Sequence, residues 1–242
     1  MVEFGCGTGD LALELAAGGA CRSLDAFDFA ADAVRIARGK AQERGVAGVS
    51  FQTVDCNRWL AAEVRYDAAW FNMSLHHVEA LEHLCGQTAR ALKPGGYVFV
   101  NEYVGPNRFD FTPRQKVVLA TLSECIPLRY RRLPPGRLLG PSHRTSPPIP
   151  NPKAVKRADP SEAVRSADIR KVLARYFDIV VVNPIGGTLL QFLLNDITQN
   201  FTPEDPVAVR LLEVLIEMES VLIAAGDLQS DFALIVARRS SP

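Results

Sequence analysis

Over the first hundred residues, short apolar runs alternate with amphipathic stretches, and most runs end in a polar or glycine-rich turn. Val2 to Phe4 read as a buried strand, and Leu11 to Ala17 as a helix closed by Gly18-Gly19. Ala20 to Phe27 read as a second strand ending at Asp28, after which Asp28 to Ala37 have helical spacing with Val34 and Ala37 on one side. Val49 to Val54 alternate as a third strand, and Tyr66 to Asn72 form a fourth. Met73 to Val78 lead into a helix through Leu92, Leu92 to Gly96 form a turn, and Tyr97 to Tyr103 make a fifth strand. This alternation predicts a mostly parallel sheet with helices on its faces.

The later pattern is less regular. Gln115 to Cys125 have helical character, Leu133 to Pro152 read as extended loop, and Asp159-Pro160-Ser161-Glu162 read as the start of a helix continuing through Tyr176. A sixth strand is expected at Phe177 to Asn183, a break at Gly186-Gly187, and an apolar helix at Leu189 to Ile197. An amphipathic helix follows at Pro206 to Ala225, and Phe232 to Ala237 form a last strand.

The first turn carries the chemistry. Glu3-Phe4-Gly5-Cys6-Gly7-Thr8-Gly9-Asp10 joins a strand to a helix, where glycine admits close ligand approach and a helix start offers free N–H groups. A dinucleotide turn, G-x-G-x-x-G, would need glycine at position 10, and that residue is Asp10. Asp28 lies 19 residues beyond Gly9, close to the separation a βαβ unit gives its ribose-binding acid. Asp28 reads equally as a helix cap, and Asp55 as a turn residue.

The E-x-G-x-G-x-G spacing at Glu3 to Gly9 resembles the first motif of class I S-adenosylmethionine-dependent methyltransferases. Asp28-Phe29, Asp55-Cys56, the Asn72-Met73-Ser74-Leu75-His76-His77 run and Leu92-Lys93-Pro94-Gly95-Gly96 resemble further marks of that family, in its order. The resemblance implies S-adenosylmethionine as cofactor and S-adenosylhomocysteine as product, held by Glu3, Gly5, Cys6, Gly7, Asp28, Phe29, Asp55, Cys56 and Asn72. An acid beside the turn suits the sulfonium and ammonium of this cofactor. The N-P-P-Y or D-P-P-Y signature of base-amino methylation is replaced by Asn72-Met73-Ser74-Leu75, which argues against a nucleobase acceptor.

His77, Glu102 and Tyr103 are the candidate catalytic residues, His77 because imidazole titrates near neutrality, the other two because they end the fifth strand on the ligand side. His76 and His77 read equally as packing or capping residues, and neighbours that diverge by about 100° on a helix should not both face a substrate.

The family's usual segment before the first strand covers the cofactor and helps form the substrate pocket. Only Met1 and Val2 stand before Glu3 here, so the chain is expected to be a truncated or misassigned reading frame, or a minimal form.

Composition refines this picture. Of 242 residues 48% are hydrophobic, enough for one sizeable core, and Lys plus Arg balance Asp plus Glu at 27 each, which gives no global reason to expect nucleic-acid binding. Residues 105–157 depart from that balance with eleven basic residues against Asp110 and Glu124, and eleven prolines fall between Pro106 and Pro160. Such a loop beside an active site would draw an anionic acceptor, or act as a clamp for RNA or a nucleotide-sugar; equally it is a solvated crossover. Five scattered cysteines without a C-x-x-C fit reduced thiols in a cytoplasm, and no metal site is expected. No segment reads as membrane-inserting.

The expected fold is a three-layer α/β/α Rossmann-like sandwich. Its seven-stranded sheet is mostly parallel with an antiparallel last strand, which the resemblance places beside the fifth. One domain spans 1–242: a cofactor-binding core at 1–104, a basic, proline-rich lid at 105–160, and strands and helices completing the sheet at 161–242. The expected reaction is methyl transfer to an oxygen or nitrogen nucleophile of a small molecule. A non-catalytic cofactor-binding module is the remaining alternative.

Overall fold

The structure is a computed structural model describing residues 1–135 and 141–240. Seven strands form one sheet in the order β3-β2-β1-β4-β5-β7-β6. They are β1 (Val2–Phe4), β2 (Leu24–Asp28), β3 (Val49–Thr53), β4 (Tyr66–Asn72), β5 (Leu92–Tyr103), β6 (Asp178–Gly186) and β7 (Phe232–Arg238). The first five run parallel, and β7 lies antiparallel between β5 and β6.

The helices are α1 (Asp10–Ala17), α2 (Ala31–Glu43), α3 (Leu81–Ala91), α4 (Pro113–Cys125), α5 (Pro152–Ala158), α6 (Ile169–Tyr176), α7 (Leu190–Leu194) and α8 (Pro206–Ala224). On one face of the sheet Leu13, Val34, Ala37 and Phe51 close a core beneath α1 and α2. On the other, Phe71, Val98, Val100 and Ile235 pack with Leu81, Leu84, Val172 and Leu173 of α3 and α6. The strict alternation along β5, with Val98, Val100 and Glu102 buried, follows from the pleat.

A third apolar cluster stands apart from the sheet. Phe111, Leu119, Leu122 and Ile126 from the β5–α6 connection pack against Leu189, Phe192, Leu193 and Leu215 from the β6–β7 connection. The region expected as a lid over 105–160 therefore shares its core with α7 and α8. Two buried polar groups bind these segments to the sheet end. Gln115 donates to Thr188 O at 3.0 Å and to Asp231 Oδ2 at 2.8 Å. The Glu219 carboxylate accepts the amides of Gly187, Leu189 and Leu190 at 2.8, 2.6 and 3.0 Å.

Three local expectations are corrected, and one helix is added. Leu92 to Gly96 belong to β5, with Leu92 paired to Tyr66 before a bulge that Gly95 makes at φ 75°. The helix expected from Met73 onward is a single 3₁₀ turn at Leu75–His77, and α3 starts only at Leu81, its first amides near the Asn57 side chain that accepts from Glu79 and Ala80 N–H. The expected helix start at Asp159 is a tight turn, because the Asp159 carboxylate accepts both the amide and the hydroxyl of Ser161 at 2.7 Å. After the expected extended loop the chain forms a short helix that the sequence reading did not include: Asn151 caps α5, accepting from Lys153 and Ala154 N–H, with Pro152 in the first turn. Of the eleven basic residues counted in 105–157, Arg137 lies outside the described residues.

Candidate functional site

A cavity of about 660 Å³ opens at the carboxyl ends of β1, β2 and β4, where the chain's connections change direction across the sheet. Its floor is the glycine turn. Gly5 and Cys6 N–H both donate to Phe27 O, at 2.7 and 2.9 Å, so the turn is laced to β2. Gly5 has φ 75°, and a Cβ there would stand 2.3 Å from Ser74 Cβ. At Gly7, φ 52°, a Cβ would meet nothing within 4 Å, because that side of the turn faces open space.

Asp28 stands at the end of β2 and fixes the turn from beneath. Its Oδ2 accepts Gly7 N–H at 2.7 Å and its Oδ1 accepts Ala30 N–H at 2.8 Å. Each oxygen keeps one lone pair, the equipment needed to accept two vicinal hydroxyls. Phe29 beside it is 75% exposed at the rim, free to lie on a flat ring. Across the cavity Asp55 Oδ1 accepts Asn57 N–H at 2.9 Å, and Cys56 lines the wall with its thiol pushed up to about 12 by burial.

Gly5, Gly7, Asp28, Phe29, Asp55, Cys56 and His77 thus meet in one cavity. Glu3, Cys6, Asn72, Glu102 and Tyr103 do not form its wall. Glu3 lies under the turn, 1% exposed, with Oε2 lacking any partner; burial first, and the Asp28 charge second, push its carboxyl up to about 7. Cys6 packs into the core beneath α1 with Leu13, its thiol raised to about 12 by burial. Asn72 accepts from Asn101 Nδ2 at 2.9 Å.

Two of the three catalytic candidates are corrected to structural roles. Glu102 is fully buried, and its carboxylate accepts Ser74 N–H at 2.6 Å, His76 N–H at 3.2 Å and His76 Nδ1 at 2.8 Å. Tyr103 is buried between Phe109 and Phe232 and donates to Pro106 O at 3.0 Å; burial raises its phenol. The β5 pleat sends Glu102 toward the His76 turn and Tyr103 to the opposite face, so neither side chain reaches the cavity.

Of the three catalytic candidates, His77 alone lines the cavity, from the His76–His77 turn. The two rings lie 4.2 Å apart, centroid to centroid, which neighbours on an α-helix would not achieve. Burial works to lower the His76 pKa, but the Glu102 hydrogen bond and the charges of Glu102, Glu162 and Asp159 outweigh it and raise the imidazole above its ordinary value. His77 Nδ1 meets Ser161 Oγ at 3.0 Å. The Ser161 hydroxyl also holds Asp159 below the usual carboxylate range.

Sequence reasoning missed Met73, Ser74 and Ser161 in the cavity wall and Glu162 beside the histidines. Met73 holds φ 53°, and the buried Ser74 Oγ has no partner. The signal for Ser161 was the Asp-Pro-Ser-Glu run, which reads as well for an Asp-headed turn as for a helix start. Next to this turn, Phe109, Val155, Ala158 and Phe192 with Asp159, Glu162, Gln191 and Asn195 line a second cavity of about 430 Å³.

Several basic side chains of the β5–α6 connection hold backbone and carboxylates. Arg108 donates to Glu162 O at 2.8 Å, Arg114 pairs with Asp227 at 2.6 Å, and Arg144 donates to Leu193 and Asn195 carbonyls. Among the described residues no Lys or Arg lines either cavity, so an anionic acceptor and a nucleic-acid partner gain no support. No helix among them is long and apolar enough to cross a membrane.

The site fits S-adenosylmethionine on its own geometry: an open glycine flank, paired acids for hydroxyl and amine donors, and buried orphan oxygens on Glu3 and Ser74 next to the turn. Comparison agrees. Residues 1–96 match the sequence model of the family described as Methyltransferase domain. Demethylmenaquinone methyltransferase of Bacteroides fragilis is 27% identical over 136 residues, 52% of this chain and 54% of that protein. The ubiquinone/menaquinone biosynthesis C-methyltransferase of Bdellovibrio bacteriovorus is 29% identical over 103 residues, 43% of each chain. The chain thus spans about half the length of the curated relatives it matches. Geranyl diphosphate methyltransferase in complex with S-adenosylmethionine superposes with a TM-score of 0.59 at 13% identity, covering 98% of this chain and 77% of that one, a likeness of fold. Residues 1–96 thus match a methyltransferase domain, and the motif and strand order are similar to those of class I S-adenosylmethionine-dependent methyltransferases.

Proposed function

We propose that the chain transfers the methyl group of S-adenosylmethionine to a small acceptor with an apolar body. The observation that carries this reading is a pair of cavities flanking the 159–162 turn, the larger lined by His77 and Ser161 and the smaller by Asp159 and Glu162. The larger has the glycine turn and the two acids a cofactor needs; the smaller has an apolar wall of Phe109, Val155, Ala158 and Phe192, with Asp159 and Glu162 on one side and Gln191 and Asn195 beside Phe192.

The chain's contribution to such a reaction is positional. Asp28 and Asp55 hold ribose and adenine, Glu3 and Ser74 supply acceptors near the amino-acid moiety, and the aromatic wall seats the acceptor and excludes water. Holding nucleophile and methyl donor in line supplies on the order of 7–11 kcal/mol of barrier reduction. His77 is the group placed to take a proton where the nucleophile needs deprotonation. The nucleophile expected from the sequence, oxygen or nitrogen, is here extended to carbon, since the Bdellovibrio relative is named a C-methyltransferase.

The test has two stages. Calorimetry should show S-adenosylhomocysteine binding to the wild type and a loss of roughly 100-fold or more in Asp28→Ala, the size of two charge-assisted hydrogen bonds. Labelled methyl transfer should then be scanned over quinols, phenols, sterols and amines. Equal affinity in the variant removes the cofactor assignment, and turnover confined to charged, non-aromatic acceptors removes the acceptor class.

A further inference from the structure

His76, His77 and Glu162 each bring one ligand atom to within 4.8 Å of the others, between the two cavities. Their hydrogen bonding fixes which atoms these are. The Glu102 carboxylate already accepts two backbone amides, so His76 Nδ1 donates to it at 2.8 Å and His76 Nε2 keeps its lone pair. Ser161 Oγ donates to Asp159 at 2.7 Å, so it accepts from His77 Nδ1 at 3.0 Å, and His77 Nε2 likewise keeps its lone pair.

Both lone pairs then face the Glu162 carboxylate, His76 Nε2 at 3.8 Å and His77 Nε2 at 4.0 Å. With both imidazoles neutral, as metal ligation requires, three acceptors converge at separations too long for hydrogen bonds. The two nitrogen–oxygen distances, to Oε1 and Oε2 respectively, and the 4.8 Å bound on all three exceed the ~3.4 Å edge of a tetrahedron with ~2.1 Å bonds, so the three side chains must move inward to close on an ion. The backing of each ring Nδ1 by an oxygen acceptor is the arrangement that orients metal-binding imidazoles. Glu162 is held in turn: Arg108 donates to its carbonyl at 2.8 Å, and Val164 N–H donates to His76 O at 3.0 Å.

We propose that His76 Nε2, His77 Nε2 and the Glu162 carboxylate bind one divalent transition-metal ion, of the zinc type, with a coordination position left open toward the Phe109–Val155–Phe192 cavity. Two imidazoles and one carboxylate with an open position form the donor set of catalytic rather than structural sites. A hydroxyl or carbonyl oxygen of an acceptor is the ligand that position takes, and a coordinated hydroxyl gives up its proton more readily, to solvent, so that with the ion bound deprotonation does not pass through His77. That last step rests on the methyl-transfer reading above; the ion site itself does not.

Chelator-stripped full-length protein is titrated with Zn²⁺ in a calorimeter and, separately, with Co²⁺ under visible absorption. The expected result is one equivalent of Zn²⁺ bound saturably, with at least tenfold weaker binding in Glu162→Gln and His76→Ala. Glu102→Gln, which leaves the ligands but alters the backing of His76, should weaken binding 10- to 100-fold. S-adenosylhomocysteine affinity of Glu162→Gln, measured alongside, reports that the variant is folded and tests the cofactor reading independently. Absence of saturable Zn²⁺ binding overturns the proposal. So does unchanged affinity in Glu162→Gln, or a thiolate charge-transfer band in the Co²⁺ form, which would put the ion on cysteine.

Discussion

The cofactor side of the molecule is built from backbone, and the acceptor side from side chains that meet over long sequence distances. Around Gly5, Gly7 and Asp28 the ligand-facing groups are fixed by bonds within a βαβ unit: two amides on Phe27 O and two on the Asp28 carboxylate. Around His77 and Glu162 the same task falls to contacts such as His77–Ser161, 84 residues apart, and Arg108–Glu162, 54 apart. A site of the first kind is encoded by a short motif. One of the second kind exists only once the fold has closed.

The sharpest way to break this contrast lies inside the turn. Gly5→Ala should cost several kcal/mol of stability, because a positive φ and a 2.3 Å overlap with Ser74 Cβ coincide. Gly7→Ala pays only the φ penalty, roughly 1–2 kcal/mol, yet puts a methyl into the open flank. Urea melts should separate the two strongly in stability, while both lose S-adenosylhomocysteine affinity. Equal stability losses would mean the flank of Gly7 is packed rather than open.

Next in size is Glu102. Replacement by Ala orphans the Ser74 and His76 amides and the His76 ring in a buried site, a loss of about 3–5 kcal/mol expected in chemical denaturation. Were Glu102 an acceptor-facing acid, the variant would keep its stability and lose only turnover.

These two cases also mark what the sequence discloses. The first five strands, the glycine turn and the place of Asp28 at the end of the second strand were legible because hydrophobic period and local motif determine them. Glu102 was misplaced because position at a strand's carboxyl end does not say to which face the pleat sends a side chain. Glu162 was invisible as a site residue because its neighbours, His76 and His77, come from a turn that the sequence reads as helix. The shared core of α4 with α7 and α8 was hidden for the same reason: Phe111 and Phe192 meet at 4.6 Å, but nothing local pairs them.

Glu3 gives a pH handle on the cofactor side alone. Its carboxyl is raised from 4.5 to about 7 by burial, so between those values the folded protein holds a proton that the unfolded chain has released. Stability therefore falls as pH rises through that window, by on the order of 3 kcal/mol, and the deficit persists above it. Glu3→Gln should flatten this dependence in melts from pH 5 to 8, a range set by the same linkage. A bound ammonium would favour the ionised form, so S-adenosylhomocysteine should bind the wild type near pH 6 with proton release, visible as a buffer-dependent enthalpy. Buffer-independent enthalpy would place Glu3 out of reach of the ligand's charge.

The smallest effect tests the acceptor side. Asn151 caps α5 through the amides of Lys153 and Ala154, and α5 carries Val155 and Ala158 into the wall of the smaller cavity. Asn151→Ala should remove about 1 kcal/mol, a shift of roughly 2–4 °C in melting temperature if the helix melts with the whole chain. A seven-residue helix cannot hold its shape alone, so the loss should loosen that wall locally before it lowers global stability. KM for an apolar acceptor should then rise while S-adenosylhomocysteine affinity stays within about twofold, since no α5 residue lines the larger cavity. If both affinities fell together, the two cavities would be one mechanical unit, and the division between a motif-coded side and a fold-coded side would hold for the sequence but not for the energetics.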